Sequence, residues 1–585
     1  MPHPIHGKRW RLKPTPDDLI VQALTHDRCP AATAAILAQR GIRDPQSARA
    51  LFRPRLEDLH DPFLMADMRN AVERIERALG DNEHIMIYGD YDVDGTTAVA
   101  LVHSFLARYA SRISHYIPDR YTEGYGISYK GIDHAQREGV SLIIALDCGI
   151  KAIDKVTYAT ERGIDFIICD HHRPGDTLPA AVAVLDPKRH DCPYPYKELS
   201  GCGIGFKLVQ ALAQRNGIDF QELIPLLDLV AVSTACDIVA LTGENRILAH
   251  HGIAQLNTDP RPGIRAMMGM ANVRKRLSIS DLVFTIGPRI NAAGRIAHGR
   301  QAVELLMAHD IGEAEQIGRH VDLNNHQRQE LDKTITQQAL DAIGDVQDTE
   351  RCSTVVFDPT WHKGVIGIVA SRLIEHHYRP TVVLTQSNGT AVGSARSVKG
   401  FDVYEAISAC HDLLEQFGGH MYAAGLTMPL ANVAAFQERF EQVVRETIRP
   451  EQRVPEEEVD IEITLDQITP ALVRVLHHLA PYGPGNMRPV FLSRGLQLVG
   501  TPRLVGENHL KMTLSQSGTD LRFDAIAFRQ AHHMDLVRSG EPFSMLYVIE
   551  ENEWNGRTTV QLNVKDIRAG VDQLLVHEQL HSSLA

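Results

Sequence analysis

Three aspartates stand at alternate positions in YGDYDVDG (88–95), directly after the apolar run HIMIY (84–88). If that run is a buried strand, Asp90, Asp92 and Asp94 lie at its carboxyl end, where open α/β sheets form their ligand crevices. Crowded carboxylates repel one another, and a cation is the natural way to hold them together. Two more apolar runs end in the same manner. SLIIAL (141–146) leads into Asp147-Cys148-Gly149, and IDFIIC (164–169) leads into Asp170-His171-His172. Asp237 closes a further apolar segment, LLDLVAVSTACD (226–237). A single aspartate after a strand is ordinarily a cap or turn residue. Three successive run ends bearing Asp or His are not explained by turn chemistry.

The donor set is oxygen-rich, with a minority of imidazoles and no thiolates, which suits manganese or magnesium better than structural zinc. Asp92, Asp94, Asp147, His171 and Asp237 are enough for two ions about 3.5–4 Å apart, the arrangement that serves in-line displacement at phosphorus. Two decoys fall away. Asp90-x-Asp92-x-Asp94-Gly95 opens like a calcium-binding EF-hand loop, but the twelfth position holds Leu101 rather than glutamate. GCGIGFK (201–207) resembles a phosphate loop, but Phe206 stands where a Walker A motif needs glycine. An ATPase is not expected, and no Ser–His–Asp set competes.

The elements that must position these residues read as a parallel, doubly wound sheet. The runs 84–88, 141–146, 164–169 and 181–185 are short and β-branched, and a helix is predicted over 96–110. Residues 1–80 read as short helices. A long polar helix is predicted from 311 to about 344, and a second α/β unit from STVVF (353–357) through a helix at 365–377 to TVVL (381–384). RPEQRVPEEEVD (449–460) reads as a linker, and HLKMTL (509–514), SMLYVIE (544–550) and TTVQLNV (558–564) as strands of a small β-barrel. The tail, 571–585, is expected to fray.

The chain has 585 residues, 44% hydrophobic and 23% charged, ordinary values for a globular protein of several domains. A net charge of −13 argues against a generally sticky polycation but leaves room for a local basic groove. Eight cysteines without a CxxC pair suit a reducing compartment. The first residues lack the apolar core of a signal peptide, and Asp228 and Asp237 interrupt the longest apolar stretch, 224–241. A soluble, cytoplasmic protein without a membrane span is expected.

YGDYDVDG, ALDCG (145–149), CDHH (169–172) and TACDIV (234–239) resemble the four motifs of the DHH phosphoesterase superfamily. IPDRYTEGYGIS (117–128), GPRINAAGR (287–295), WHKGVIGIVASRL (361–373), GSARS (393–397), GGHMYAAG (418–425) and LAPYGPGN (479–486) are similar, in order, to motifs of the RecJ family of single-strand-specific exonucleases. The resemblance implies a multidomain α/β protein. Its parts would be an N-terminal helical region (1–80), a parallel-sheet DHH domain (81–310), a connecting helix (311–350), a DHHA1 domain (351–448), an OB-fold β-barrel (455–570) and a tail (571–585). It implies Asp92, Asp94, Asp147, His171 and Asp237 as metal ligands. Asp90 would bind metal or orient a ligand, and His172 would serve the scissile phosphate or support a ligand.

The activity implied is 5′→3′ hydrolysis of single-stranded DNA to mononucleotides with two Mn2+ or Mg2+ ions, in DNA repair and recombination. Single-strand-binding protein and a RecQ-type helicase are the implied partners, and a monomer is the simplest state. The alternatives are a DHH phosphoesterase acting on short RNA or cyclic dinucleotides, whose chains are shorter and lack the barrel, and a catalytically silent replication scaffold, which should have lost ligands.

For DNA contacts, Ser394 and Arg396 alternate along a predicted strand and would share a face, a hydroxyl and a guanidinium suited to a terminal phosphate. Gly418 and Gly419 would admit a nucleotide backbone beside His420. Read alone, that Gly-Gly-His is a turn more often than a site; the resemblance favours a site and marks Arg120 for a 5′-phosphate pocket. Arg289, Asn291 and Arg295 could hold the DNA backbone, with structural salt bridges as the alternative for the arginines. In the barrel, Tyr482, Phe491, Arg503 and Lys511 are candidates for stacking and charge along a groove.

Overall fold

The computed structural model describes residues 7–25, 29–344, 351–554 and 557–570; the expected tail and the last residues of the expected connecting helix lie outside the described residues. The chain divides into two compact units. One comprises Pro54–Lys333 and Pro481–Asn486, and the other Met1–Arg53, Thr334–Ala480 and Met487–Ala585. The stretch read as one N-terminal helical region is therefore shared between them. The long helix Ile311–Ile343 crosses the division.

The first strand, β1 (Arg9–Leu12), belongs to the second unit. The next five build the first unit: β2 (Ile85–Gly89), β3 (Ile113–Tyr116), β4 (Leu142–Leu146), β5 (Asp165–Cys169) and β6 (Ala183–Leu185). They pair in the order β3-β2-β4-β5-β6, every pair parallel. β2 and β4 are buried at every position, as a sheet covered on both faces requires. On one face Ile85, Ile87, Leu142 and Ile144 meet Val99, Val102 and Phe206; on the other Met86, Tyr88, Ile143 and Ala145 meet Ile132, Ala135 and Val156. The doubly wound parallel sheet expected from the apolar runs is present.

Three local differences matter for the site. The helix after β2 runs Val93–Leu106, starting earlier than the apolar pattern predicts. Its cap is Asp92, whose side chain accepts from the backbone N–H groups of Asp94 at 2.8 Å and Gly95 at 3.2 Å. The segment before Asp237 is the helix Leu227–Cys236, so Asp237 is a helix C-cap. GCGIGFK opens the helix Gly201–Arg215, and Lys207 is buried in an ion pair with Glu244 at 2.6 Å, which leaves no phosphate loop.

In the second unit, β7 (Thr354–Phe357), β8 (Thr381–Ser387), β9 (Thr390–Arg396), β10 (Gln416–His420) and β11 (Ala423–Pro429) form a sheet of order β10-β11-β9-β8-β7. The stretch read as a linker contains β12 (Glu456–Val459), which pairs in parallel with β1. Its glutamates are held by basic residues distant in sequence: Lys8 on Glu457 at 3.0 Å, Arg9 on Glu456 at 3.2 Å and Lys399 on Glu458 at 3.1 Å. After β13 (Ile461–Glu462) come β14 (Phe491–Val505), β15 (His509–Gln516), β16 (Phe523–Ala527), β17 (Phe543–Trp554) and β18 (Arg557–Ala569). Their pairings run β14-β15-β16-β18-β17, and β17 also pairs with β14. Among the described residues no helix is long and apolar enough to cross a membrane.

Candidate metal centre

The carboxyl ends of β2, β4 and β5 bring Asp90, Asp92, Asp94, Asp147, His171 and His172 together, and the helix Leu227–Cys236 delivers Asp237 to them. Three overlapping sets of potential ligands result: Asp94, His171 and Asp237; Asp147, His171 and His172; and Asp90, Asp92 and Asp147. Within each set the ligand atoms all lie within 4.8 Å of one another. His171 Nε2 stands 3.1 Å from Asp147 Oδ1, 3.5 Å from Asp237 Oδ2 and 3.7 Å from Asp94 Oδ2.

Asp94 and Asp170 are fixed by groups that no ligand needs to supply. Asp94 accepts from the Gly201 N–H at 2.6 Å, the Cys202 N–H at 2.8 Å and the Ser233 hydroxyl at 2.6 Å. Those two amides are the free donors of a helix N-terminus, which favours negative charge. Asp170 accepts from the N–H groups of Ile150 at 2.9 Å and His171 at 2.8 Å, and binds His172 Nδ1 at 2.7 Å. That contact turns His172 Nε2 outward, 3.5 Å from the Tyr125 hydroxyl. Two glycines make the packing possible. A Cβ on Gly95 would sit 1.9 Å from Asp90 Oδ1, and one on Gly201 would sit 2.6 Å from the Asp147 Cβ. Asp147 itself holds a left-handed backbone, φ +59°, at the end of β4.

The electrostatics call for a cation. Burial, then repulsion from neighbouring aspartates, pushes the carboxyls of Asp90 and Asp147 well above the usual range and raises Asp92. Burial with repulsion from Asp94 and Asp92 pushes Asp237 up to about 9, and Lys188 pulls it back. Asp170 behaves oppositely: burial would raise it, but His172 and the surrounding N–H groups outweigh burial and lower it. Asp90 Oδ2 and His171 Nδ1 are buried without a hydrogen-bond partner among the described residues. Buried polar atoms left unpaired, and carboxylates that repel one another, fit a site for divalent ions ligated by oxygen and imidazole.

Comparison with known proteins agrees with this architecture. Residues 84–234 match the DHH family N-terminal domain, 350–446 the DHHA1 domain and 459–566 the RecJ OB domain. The single-stranded-DNA-specific exonuclease RecJ of Bacillus subtilis is 36% identical over 572 residues, covering 97% of this chain and 71% of that one. Its counterpart in Dickeya dadantii is 35% identical, covering 92% and 96%. The chain belongs to the RecJ family. A crystal structure of RecJ from Thermus thermophilus with Mn2+ superposes with a TM-score of 0.82 at 29% identity, covering 96% of this chain and 80% of that one.

The remaining candidates of this RecJ-family chain are scattered more widely. Arg120 lies over the Tyr91 ring, 4.7 Å from its centroid. Arg289 is engaged by Asp322 at 3.0 Å and by the Thr285 carbonyl at 2.7 Å, the structural alternative raised for it. Asn291 and Arg295 lie half-buried on the helix Gly287–Ile296. Ser394 and Arg396 share one face of β9, and Arg396 Nη1 donates to the Ser394 hydroxyl at 3.0 Å. Gly418, Gly419 and His420 lie on the sheet-edge strand β10, all three exposed.

Two barrel candidates need correction. Tyr482 belongs to Pro481–Asn486, which packs in the first unit through the Leu241 N–H to Pro484 carbonyl bond at 2.7 Å, so it is not a barrel residue. Phe491 is buried and stacked on Tyr547, unavailable for a base. Arg503 and Lys511 are register partners across β14 and β15.

Sequence reading missed Ser233, Gly201 and Tyr125. Ser233 lies one helical turn before Asp237, and that spacing is a signal that could have found it.

Proposed function

We propose that the protein is an exonuclease specific for single-stranded DNA, degrading it 5′→3′ to mononucleotides with two manganese or magnesium ions. What supports this reading above all is the trio of overlapping ligand sets sharing Asp147 and His171 at adjoining strand ends. The activity named for the relatives directs it to single-stranded DNA. Asp92, Asp94, Asp147, His171 and Asp237 would hold the ions. Held there, such ions would supply neutralisation of the scissile phosphate, a lowered pKa for the attacking water and stabilisation of the departing 3′ oxygen.

The chain's own groups do the positioning. Gly201, Cys202 and Ser233 clamp Asp94, and the Asp94 and Gly95 N–H groups orient Asp92. Asp90, cradled against Gly95, places a carboxyl oxygen beside Asp92 where it would bind metal or orient a ligand. His172 is pulled down by burial but raised on balance by the Asp170 carboxylate, so its outward Nε2 is suited to donate to a phosphoryl oxygen. Arg120, and separately Ser394 with Arg396, supply donors for phosphates of the strand. A cytoplasmic monomer acting in repair and recombination beside single-strand-binding protein and a RecQ-type helicase completes the reading and rests on family resemblance.

The test is Mn2+-dependent digestion of a 5′-phosphorylated, 3′-labelled single strand beside its duplex and beside Asp92→Ala. Mononucleotides from the single strand only, with the variant inactive, are expected. An intact single strand with either ion would overturn the reading.

A further inference from the structure

Lys188 stands at the edge of the metal centre and has no role in the family motifs quoted above. β5 and β6 are parallel with Cys169 opposite Leu185, and Lys188 follows Leu185 by three residues, as His172 follows Cys169. A tight turn fixes its backbone, the Lys188 N–H donating to Asp186 Oδ1 at 2.7 Å. Asp186 is itself wholly buried, so the turn is anchored in the core. The side chain is only 29% exposed, yet among the described residues the one carboxylate paired with its ammonium is Glu198 Oε2, at 3.9 Å and half-exposed. Glu198 lies two residues before Ser200, the cap of the helix whose first amides clamp Asp94. Lys188 is thus bracketed by the strand end bearing His172 and the segment behind Asp94. Its charge is felt at both His171 and Asp237.

Among the described residues the Lys188 ammonium is paired only loosely, so its three N–H donors are left to meet an anion bound at the metal centre. We propose that Lys188 is a further catalytic residue, donating a hydrogen bond to a non-bridging oxygen of the scissile phosphate. This rests on the exonuclease reading. In the step, the water oxygen bonds to phosphorus and the P–O3′ bond breaks. The 3′ oxygen leaves as a hydroxyl, with a proton matching the one water gives up. Lys188 keeps its proton throughout and stabilises the charge on the equatorial oxygens.

The test uses the dinucleotide pTpT, too short to draw on distant contacts, at saturating Mn2+ with the full-length protein. Lys188→Met is expected to lower kcat about 10²-fold, the scale for losing one transition-state donor. Lys188→Arg should recover most of that loss, and Glu198→Gln should stay near wild type. The Mn2+ midpoint and melting temperature should be unchanged in all three. Wild-type kcat in Lys188→Met, an equal loss in Glu198→Gln, or recovery at higher Mn2+ would overturn the role. Should wild type itself cleave nothing, the exonuclease reading falls, and calorimetric binding of pTpT to the Mn2+-loaded proteins still decides on Lys188. Weaker binding by Lys188→Met supports the contact; equal binding, or none by either protein, removes it.

Discussion

Gly201→Ala is the sharpest probe of how the metal centre is held. A Cβ there would lie 2.6 Å from the Asp147 Cβ, 2.8 Å from its Oδ1 and 2.9 Å from its Cα, where ordinary contact begins at 3.4 Å. Asp147 sits on the stiff end of a central strand, so relief requires it or the helix start to move by about 0.8 Å. The same residue's N–H holds Asp94 Oδ2 at 2.6 Å, so both ligands are disturbed together. Misplacement of about 1 Å can cost about 10²-fold in rate, or about 2.7 kcal/mol of barrier. Gly203→Ala on the same helix is the matched control, because its Cβ would meet Ser200 Oγ at 3.4 Å and Leu199 at 3.5 Å, both ordinary contacts. Initial rates of mononucleotide release across a Mn2+ titration should show about a 10²-fold loss and a raised Mn2+ midpoint for Gly201→Ala, with Gly203→Ala within twofold of wild type. If Gly201→Ala keeps wild-type rate and midpoint, Asp147 does not depend on that packing. If Gly203→Ala falls equally, the helix as a whole is responsible.

Gly95→Ala should be at least as damaging, since its Cβ would lie 1.9 Å from Asp90 Oδ1 and 2.8 Å from the Asp90 backbone nitrogen; the same Mn2+ titration reads it. The metal-free protein should lose stability as pH rises. Asp237 is raised to about 9 from an ordinary 3.8, so the folded state binds more protons than the unfolded state between those values, and its contribution is present below about 4 and lost by about 9. Denaturation midpoints in chelator from pH 5 to 9 should fall less steeply for Asp237→Asn than for wild type, and Mn2+ should flatten the wild-type curve. Equal slopes for the two chelated proteins would refute this.

What the sequence made legible was local. Asp90, Asp92 and Asp94 announce themselves because a strand end and a helix cap fall within eight residues. Asp237 could be placed at the end of an apolar segment, but such a run does not declare its element by periodicity alone. Gly201, which meets Asp147 and Asp94 across long stretches of chain, carries no local sign of those contacts. Phe491 looked available because a strand's inward face depends on register, which pairing with β13 and β17 decides. The charged stretch 449–460 looked like a linker because the counter-charges of Glu456, Glu457 and Asp460 lie some 450 residues earlier.

That last pairing sets a timetable for making the molecule. β1 cannot find β12 until the ribosome has added the 447 residues that separate Arg9 from Glu456. At about 5–20 residues per second the wait is roughly 20 seconds to a minute and a half. Meanwhile the five-stranded sheet can assemble, since all its strands lie between Ile85 and Leu185. The waiting segment carries Lys8, Arg9, Arg11 and Lys13, charges of the kind that keep an unpaired strand from joining the wrong edge. The basic teeth that later grip Glu456, Glu457 and Asp460 thus first serve as a guard on the nascent chain.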